Sequence, residues 1–219
     1  MDEDTDDILN NIIDDDDDAN IQMTPAELIQ KMEEIWINEK FAPELLPHEQ
    51  EIVDLVLSQI SAMEDNVETL PSADFKKGFY QLEIDRIRFV VTSYLRQRLE
   101  KIETYVLHVL KEDEEREEAY LSEAEQQFAL KYKEALEEHF DNATMFYPGL
   151  PFEDWKSNFV RPNMNSFVFL KAKSNVEGVV VDRGQGDDNE IVDIKAGSQM
   201  LISYKGVSDL IKKGDLRLI

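Results

Sequence analysis

One long segment, residues 74–111, constrains the fold of this chain more than any other part, because its pattern predicts a helix that is apolar on two sides. The segment contains no proline, and its one glycine is Gly78. At 100° per residue, nine apolar side chains fall on one side: Tyr80, Ile84, Ile87, Val91, Tyr94, Leu95, Ile102, Val106 and Val109. Phe75, Leu82 and Phe89 fall on roughly the opposite side. Such a helix must be packed on both sides, so we predict that another chain supplies part of the packing.

Composition and charge exclude several classes of function. The 219 residues include 48 acidic and 23 basic side chains, for a formal net charge of −25, and no cysteine. Disulfides, thiolate metal sites and a cysteine nucleophile are therefore excluded. Phosphate neutralisation supplies most of a protein's affinity for a nucleic-acid backbone, so this chain is predicted not to bind duplex DNA by itself. No apolar run approaches the roughly 20 residues that cross a bilayer, so no membrane attachment is predicted.

The first 22 residues are strongly acidic. They carry 10 acidic residues and no basic one, and residues 14–18 are five consecutive aspartates. Like charges in such a run repel one another, and the run has no apolar surface to bury, so we predict a disordered acidic tail. The alternative is that its short apolar patch, Ile8, Leu9, Ile12 and Ile13, forms a helical motif that folds on a partner.

Residues 23–140 are predicted to form a helical domain with four main helices. Two capping boxes, each a Ser or Thr followed three residues later by Glu, mark helix starts at Thr24 with Glu27 and at Ser122 with Glu125. The first helix is expected to end near Asn38 and the second to open at Pro47. Short loops between such helices are typical of a bundle.

The pattern changes after residue 140. Residues 141–160 contain Pro148 and Pro151 and are predicted to be a linker. Residues 161–219 contain short β-type runs punctuated by glycines and are predicted to form a small β domain, whose core the linker separates from the helical core. The predicted strands are 166–170, 176–181, 190–194, 199–204 and 216–219. The predicted fold class is therefore mainly α, an N-terminal helical bundle followed by a small C-terminal β-rich domain.

No group of residues predicts catalysis, a cofactor or a metal ion. The three histidines lie far apart in the sequence, at His48, His108 and His139. The acidic residues of the 182–193 segment do not follow the spacing of an EF-hand, and residues 184–186 lack the Gly-Lys-Ser/Thr of a phosphate-binding loop. We predict a protein that is not an enzyme and has no cofactor.

The main basic cluster lies on the long helix and consists of Arg86, Arg88, Arg96, Arg98 and Lys101. On a helical wheel these side chains point in different directions, which argues against a phosphate-binding stripe. Arg98 projects into the apolar face, where an arginine generally needs a carboxylate partner. The sequence leaves open whether that partner lies in the same chain or across a subunit interface. Contact with nucleic acid is a third alternative.

Six residues are predicted to lie at an interface with another subunit: Ile87, Val91, Tyr94, Arg98, Ile102 and Leu218. Five of them lie on the main apolar side of the long helix. Leu218 belongs to the short aliphatic C-terminal strand, which is suited to packing against another chain.

The long helix also carries a resemblance to a known family. Residues 85–88 (Asp-Arg-Ile-Arg) and 94–103 (Tyr-Leu-Arg-Gln-Arg-Leu-Glu-Lys-Ile-Glu) resemble the signature of the Sld-five subunits of GINS, the four-subunit complex of the eukaryotic replicative helicase. Other segments resemble the family's remaining motifs in the same order: residues 24–28, 36–39, 42–46, 161–164, 168–169 and 206–219. The first 22 residues and the 184–188 loop match no pattern of the family.

The resemblance implies a scaffold subunit in the nucleus. Each GINS subunit has a helical domain and a small β domain, and the helical domain comes first in the Sld-five type. GINS joins the minichromosome-maintenance ring motor and a RecJ-like partner at replication forks, and it helps to couple the leading-strand polymerase. ATP hydrolysis in that assembly belongs to the ring. The alternative is a helical adaptor in another multiprotein assembly.

Overall fold

The computed structural model describes residues 23–71, 74–115, 120–144, 159–181 and 190–219. The predicted acidic tail at 1–22 lies outside the described residues, as does most of the predicted linker at 141–160. The described chain has four main helices followed by short strands, which confirms the predicted fold class. The helices are α1 Pro25–Phe41, α2 Gln50–Thr69, α3 Phe75–Glu115 and α4 Glu123–Thr144.

Both predicted capping boxes are present. At the start of α1, the Glu27 backbone N–H donates to Thr24 Oγ1 over 3.3 Å, and the Thr24 N–H donates to Glu27 Oε2 over 2.9 Å. At the start of α4, the Glu125 N–H donates to Ser122 Oγ over 3.3 Å, and the Ser122 N–H donates to Glu125 Oε2 over 3.0 Å. Each pair satisfies backbone donors that the first helical turn leaves without a partner.

The chain divides into two compact units. The first contains the described residues of Met1–Trp36 and Glu49–Ser93, and the second those of Ile37–His48 and Tyr94–Ile219. Helix α3 contributes residues to both units, and its backbone leaves helical geometry at Tyr105, where φ is −120° and ψ is 26°. The units do not follow the predicted division into helical and β domains, whose boundaries in the sequence stay a prediction.

The core of the first unit is built from one face of each of α1, α2 and the first part of α3. Its buried apolar side chains are Leu28, Met32, Ile35, Ile52, Val53, Val56, Ile60, Val67, Ile84, Ile87, Val90 and Val91. At the edge of this unit, Trp36 Nε1 donates a hydrogen bond to Ser93 Oγ over 3.0 Å. The indole therefore satisfies its one polar group while its ring packs edge-on against Phe89.

The second unit contains two small antiparallel sheets. Its strands are β1 Phe167–Ala172, β2 Val176–Val181, β3 Glu190–Ile194, β4 Gln199–Ser203 and β5 Leu216–Leu218, with a short helix α5, Ser208–Lys212, before the last strand. One sheet has the order β4-β1-β5, and β2 pairs with β3 in the other. The outer edge of β5 is occupied, because the Leu218 N–H donates to Asn38 Oδ1 over 2.8 Å.

One apolar cluster joins this β region to the connection between α1 and α2. Ala42 and Leu46 of the connection are buried together with side chains of the strands and of α5. The largest members from the C-terminal region are Leu170, Ile194, Ile202, Tyr204, Ile211, Leu216 and Leu218. The C-terminal apolar cluster thus includes two residues of the α1–α2 connection, while the division of the chain into two separate cores stays a prediction. A β core of this size is marginal alone, and the neighbouring connection helps to bury its apolar face.

Gly206 is required by a close approach between backbones. A Cβ atom at this position would lie 2.6 Å from the carbonyl oxygen of Val180 in β2, a contact that backbone atoms cannot relieve without moving. Gly78, near the start of α3, has no neighbouring atom within 4 Å of the same added atom. The two glycines therefore have opposite sensitivity to a methyl group.

We expect Gly206→Ala to lower the free energy of unfolding by about 1–3 kcal/mol, because the added methyl group overpacks against a fixed backbone. The matched variant Gly78→Ala is expected to raise it by about 0.5–1 kcal/mol, because alanine is favoured over glycine inside a helix. Urea unfolding of the full chain measures both changes. Equal effects of the two substitutions would contradict the close approach at Gly206.

Candidate functional site: a buried ion network and an exposed helix seam

The Arg98 guanidinium in the second unit is fully buried, so its positive charge needs hydrogen-bond acceptors within the protein. Its Nε and Nη2 donate to the two carboxylate oxygens of Glu125 over 2.6 and 3.0 Å, and its Nη1 donates to Glu39 Oε2 over 3.2 Å. The Leu46 carbonyl oxygen accepts from Nη1 over 2.7 Å, and the Tyr120 carbonyl oxygen accepts from Nη2 over 3.0 Å. A guanidinium has five N–H donors, so each of them has an acceptor here.

Lys101, one turn along α3, is the second cation of this group and is partly buried. Its Nζ donates to Glu39 Oε1 over 2.6 Å and to the Glu44 carbonyl oxygen over 2.7 Å, and it also contacts the Glu39 carbonyl oxygen. The Glu39 carboxylate therefore bridges Arg98 and Lys101 at the C-terminal end of α1. Its oxygens are both engaged by cations, which compensates the cost of burying the negative charge.

Glu44, in the connection between α1 and α2, extends the network to the C-terminal region. Its Oε1 accepts hydrogen bonds from Tyr204 Oη over 2.8 Å and from Ser208 Oγ over 3.0 Å. Lys212 Nζ lies 2.8 Å from the same oxygen. Three residues near the end of the chain thus converge on one carboxylate that precedes them by about 160 positions.

The network is balanced in charge. It contains three carboxylates and three cations, namely Glu39, Glu44 and Glu125 with Arg98, Lys101 and Lys212. Removing one member of a buried pair leaves an uncompensated charge, which generally costs more stability than the intact pair contributes. We call these six residues, with Tyr204 and Ser208, the ion network. It joins α1, the α1–α2 connection, α3, α4 and α5.

Burial and charge pairing oppose one another in the pKa values of the network. Burial acts to lower the pKa of Arg98, but the hydrogen bonds to Glu125 and the nearby carboxylates raise it on balance. Burial acts to raise the pKa of Glu125, and its bonds with Arg98 lower it on balance. For Lys101 burial is the larger effect, so its pKa is lowered even though Glu39 favours the charged form. Burial and the neighbouring Glu44 carboxylate raise the pKa of Tyr204, so its hydroxyl remains a donor.

The six residues predicted at a subunit interface are all buried inside this chain. Ile87, Val91, Tyr94, Arg98, Ile102 and Leu218 are 0–3% exposed. For Arg98, pairing within the chain is the alternative that the structure supports. Contact of these six side chains with a partner subunit stays a prediction, and burial this complete leaves almost none of their surface for a partner to touch.

The exposed apolar surface lies on the other side of α3. Phe75, Phe79, Leu82 and Phe89, which we call the α3 seam, are 59–81% exposed. Phe75, Leu82 and Phe89 were predicted on this second apolar side, and Phe79 was not among the predicted residues. Its signal was the four-residue spacing from Phe75, and the two rings pack edge to face with centroids 4.8 Å apart.

The side chains of the seam share one stripe of α3. The spacing of four, three and seven residues continues the pattern of a helix surface that packs against another helix. Arg86 interrupts the stripe and pairs with Glu83 over 2.7 Å and with Glu33. From Phe75 to Phe89 the seam covers 14 residues, or about 21 Å of helix.

The described residues contain no arrangement that indicates catalysis. His108 Nε2 lies 3.4 Å from Glu112 Oε1, one turn along the same helix. Within the described ranges, no group of three or more His, Cys, Asp or Glu side chains is placed to hold a metal ion. An open depression of about 290 Å³ beside Pro43 and Thr104 has no nucleophile paired with a base. No described helix is both long and apolar enough to span a membrane.

We expect Arg98→Met to lower the free energy of unfolding by about 3–5 kcal/mol, because it leaves the carboxylates of Glu39 and Glu125 buried with too few cations. Arg96→Met, two positions earlier and exposed on the same helix, is the control and should change it by less than about 0.5 kcal/mol. Chemical denaturation of both variants measures the difference. Similar stability of the two variants would contradict the importance of the network.

Two family models match this chain. Residues 54–144 match the GINS complex protein helical bundle domain. Residues 162–219 match the C-terminus of the DNA replication complex GINS protein SLD5. The two matches cover the helical bundle and the C-terminal strands in the order in which the structure places them.

Curated relatives match nearly the whole chain. The DNA replication complex GINS protein SLD5 of Mus musculus is 39% identical over 203 residues, which is 90% of this chain and 91% of that protein. The protein of the same description from Homo sapiens is 37% identical, over 91% of this chain and 92% of its own. The protein of the same description from Arabidopsis thaliana is 31% identical, over 87% of this chain and 90% of its own. Alignments of this identity and length leave one conclusion, that the chain belongs to the SLD5 family of GINS proteins.

Proposed function

We propose that this chain is a non-catalytic structural subunit of the GINS heterotetramer and acts in chromosomal DNA replication, in both initiation and elongation. The observation that carries the proposal is the α3 seam, a row of four large apolar side chains left exposed on one stripe of a long helix. Apolar surface arranged in this way is typical of a protein–protein interface. Family membership supplies the identity of the partners, which are the other three subunits.

The seam favours a helix as its direct partner. Its side chains recur at spacings of four and three residues, the pattern that lets ridges of one helix fit the grooves of another. Phenylalanine is among the residues enriched at the centres of interfaces, because a large rigid side chain buries much area at little entropic cost. We therefore assign the seam to an amphipathic helix of a neighbouring GINS subunit.

The wider assembly follows from the same proposal. The minichromosome-maintenance ring and its RecJ-like partner are the larger machinery in the nucleus, with the replicative polymerase an indirect partner. The net charge of −25 opposes binding of duplex DNA by this chain alone. The subunit thus contributes through its contacts with proteins, and ATP hydrolysis belongs to the ring.

A helical adaptor in another assembly is the alternative, and the seam by itself fits both functions. The GINS subunit and the helical adaptor differ in the partner chains that would bind the seam. Purified GINS partner subunits therefore discriminate between them more directly than any property of the isolated chain.

We expect Leu82→Asp to prevent this chain from joining the three partner subunits on co-expression, because it places a charge in the middle of the apolar seam. Leu130→Asp is the matched control, since Leu130 is also an exposed leucine on a helix, in α4. Size-exclusion chromatography of the co-expressed subunits measures incorporation, and circular dichroism of each variant checks that it folds.

Normal incorporation of folded Leu82→Asp would contradict the assignment of the seam. Failure of the wild-type chain to associate with the three partners would contradict the proposed function itself and favour the adaptor. Equal loss for both leucine variants would show that any added charge prevents assembly, and would remove the support for a specific seam.

A further inference from the structure

The sheet with the order β4-β1-β5 presents a second exposed surface that the α3 seam does not explain. Side chains along β1 alternate between buried and exposed, with Val168, Leu170 and Ala172 inside. The opposite face of the sheet, which we call the outer face, carries four apolar side chains that are 41–70% exposed: Phe167, Phe169, Leu201 and Ile219. A soluble chain rarely leaves an aromatic sheet face open unless something binds it.

Three of these side chains form one row across the sheet. Phe169 pairs directly with Leu201 of β4 in the antiparallel register. On its other side, the Ile219 N–H donates to the Phe169 carbonyl oxygen over 3.1 Å, which places Ile219 beside it. Phe169 is therefore the centre of an apolar row three strands wide.

A basic row borders the apolar one. Lys171 lies two residues beyond Phe169 on the same face of β1 and pairs in register with Arg217 of β5. Neither cation forms an ion pair with any residue in the described part of the chain. Like charges directly opposite each other destabilise a sheet, so this pair costs stability until an anion lies between them. Such a pair is unusual on a chain whose net charge is −25.

We infer that the outer face binds an acidic amphipathic helix of a partner subunit, with apolar side chains on the Phe169 row and a carboxylate between Lys171 and Arg217. Alternate residues along a strand are about 7 Å apart. One helical turn rises about 5.4 Å, so an acidic residue one turn from an apolar anchor fits the two rows. The partner is taken from the proposed function, on which this inference rests.

A protein partner explains the face better than single-stranded nucleic acid. Phe167 and Phe169 could stack with bases, but binding to a nucleic-acid strand needs a positively charged groove that follows the backbone. The outer face has two cations in one row, and its apolar row contains the aliphatic Leu201 and Ile219. Aliphatic side chains favour the apolar face of a helix.

The test is a pair of double charge reversals in the full chain. Lys171→Glu with Arg217→Glu reverses the basic row, and Lys205→Glu with Lys213→Glu makes the same change of charge at exposed residues outside the strands. Each chain is titrated with the preassembled three partner subunits at low and high salt. We expect the row reversal to weaken binding about tenfold or more at low salt and to reduce its salt dependence, while the control behaves like wild type.

Each outcome of this experiment either supports or overturns the inference. If wild type binds the partners and the two double variants behave alike, the inference is wrong and the proposed function stands. If wild type does not bind them, both are wrong. If the row reversal does not fold, Lys171→Gln with Arg217→Gln replaces it, and unchanged binding of that variant overturns the inference. Salt-sensitive binding of an oligothymidine strand that the row reversal abolishes would assign the face to nucleic acid instead.

Discussion

Burial of the Arg98 guanidinium is the constraint on which the second unit depends. A buried guanidinium needs carboxylates and carbonyl oxygens at hydrogen-bond distance to compensate its lost hydration. Without them, the free energy of unfolding falls by several kcal/mol. The structure meets it with Glu125 from α4, Glu39 from α1 and two backbone carbonyl oxygens. Because Glu39 also holds Lys101, whose Nζ reaches the Glu44 carbonyl oxygen, the same set of contacts continues to Tyr204 and to α5 in the C-terminal region. The helices and the C-terminal region of this unit therefore share one polar centre.

The two sides of α3 differ in exposure. One side of α3 is buried in the chain's own cores, as Ile87, Tyr94 and Ile102 show. The other side keeps the α3 seam exposed, and the C-terminal sheet keeps its outer face exposed. Open apolar surfaces of this kind are typical of protein–protein interaction sites. Within the second unit, the ion network joins the helices to the C-terminal region that carries the outer face.

The local structure of this chain was predictable from its sequence, whereas its long-range contacts were not. The capping boxes at Thr24 and Ser122, the two-sided helix and the strands were predictable because each signal lies within a few residues. Arg98 was expected to need a carboxylate, but its partners lie 59 and 27 positions away, and Glu125 was assigned only to its cap. Periodicity also identified the buried side of α3 without telling which chain buries it, and Ile102, which was predicted at an interface, is buried within this chain. The inclusion of Ala42 and Leu46 in the C-terminal core had no local signal at all.

The central claim is that the ion network makes the second unit cooperative, so that its helices and its C-terminal sheet lose structure together. Native-state hydrogen exchange of Glu44→Gln tests it most directly, because the substitution keeps the shape of the side chain and removes the charge that Lys212 faces. The account predicts that amides of Ile102 and Val106 in α3 lose protection by a factor similar to those of Leu170 and Leu216 in the sheet. Loss of protection confined to the sheet, with α3 unchanged, would contradict it.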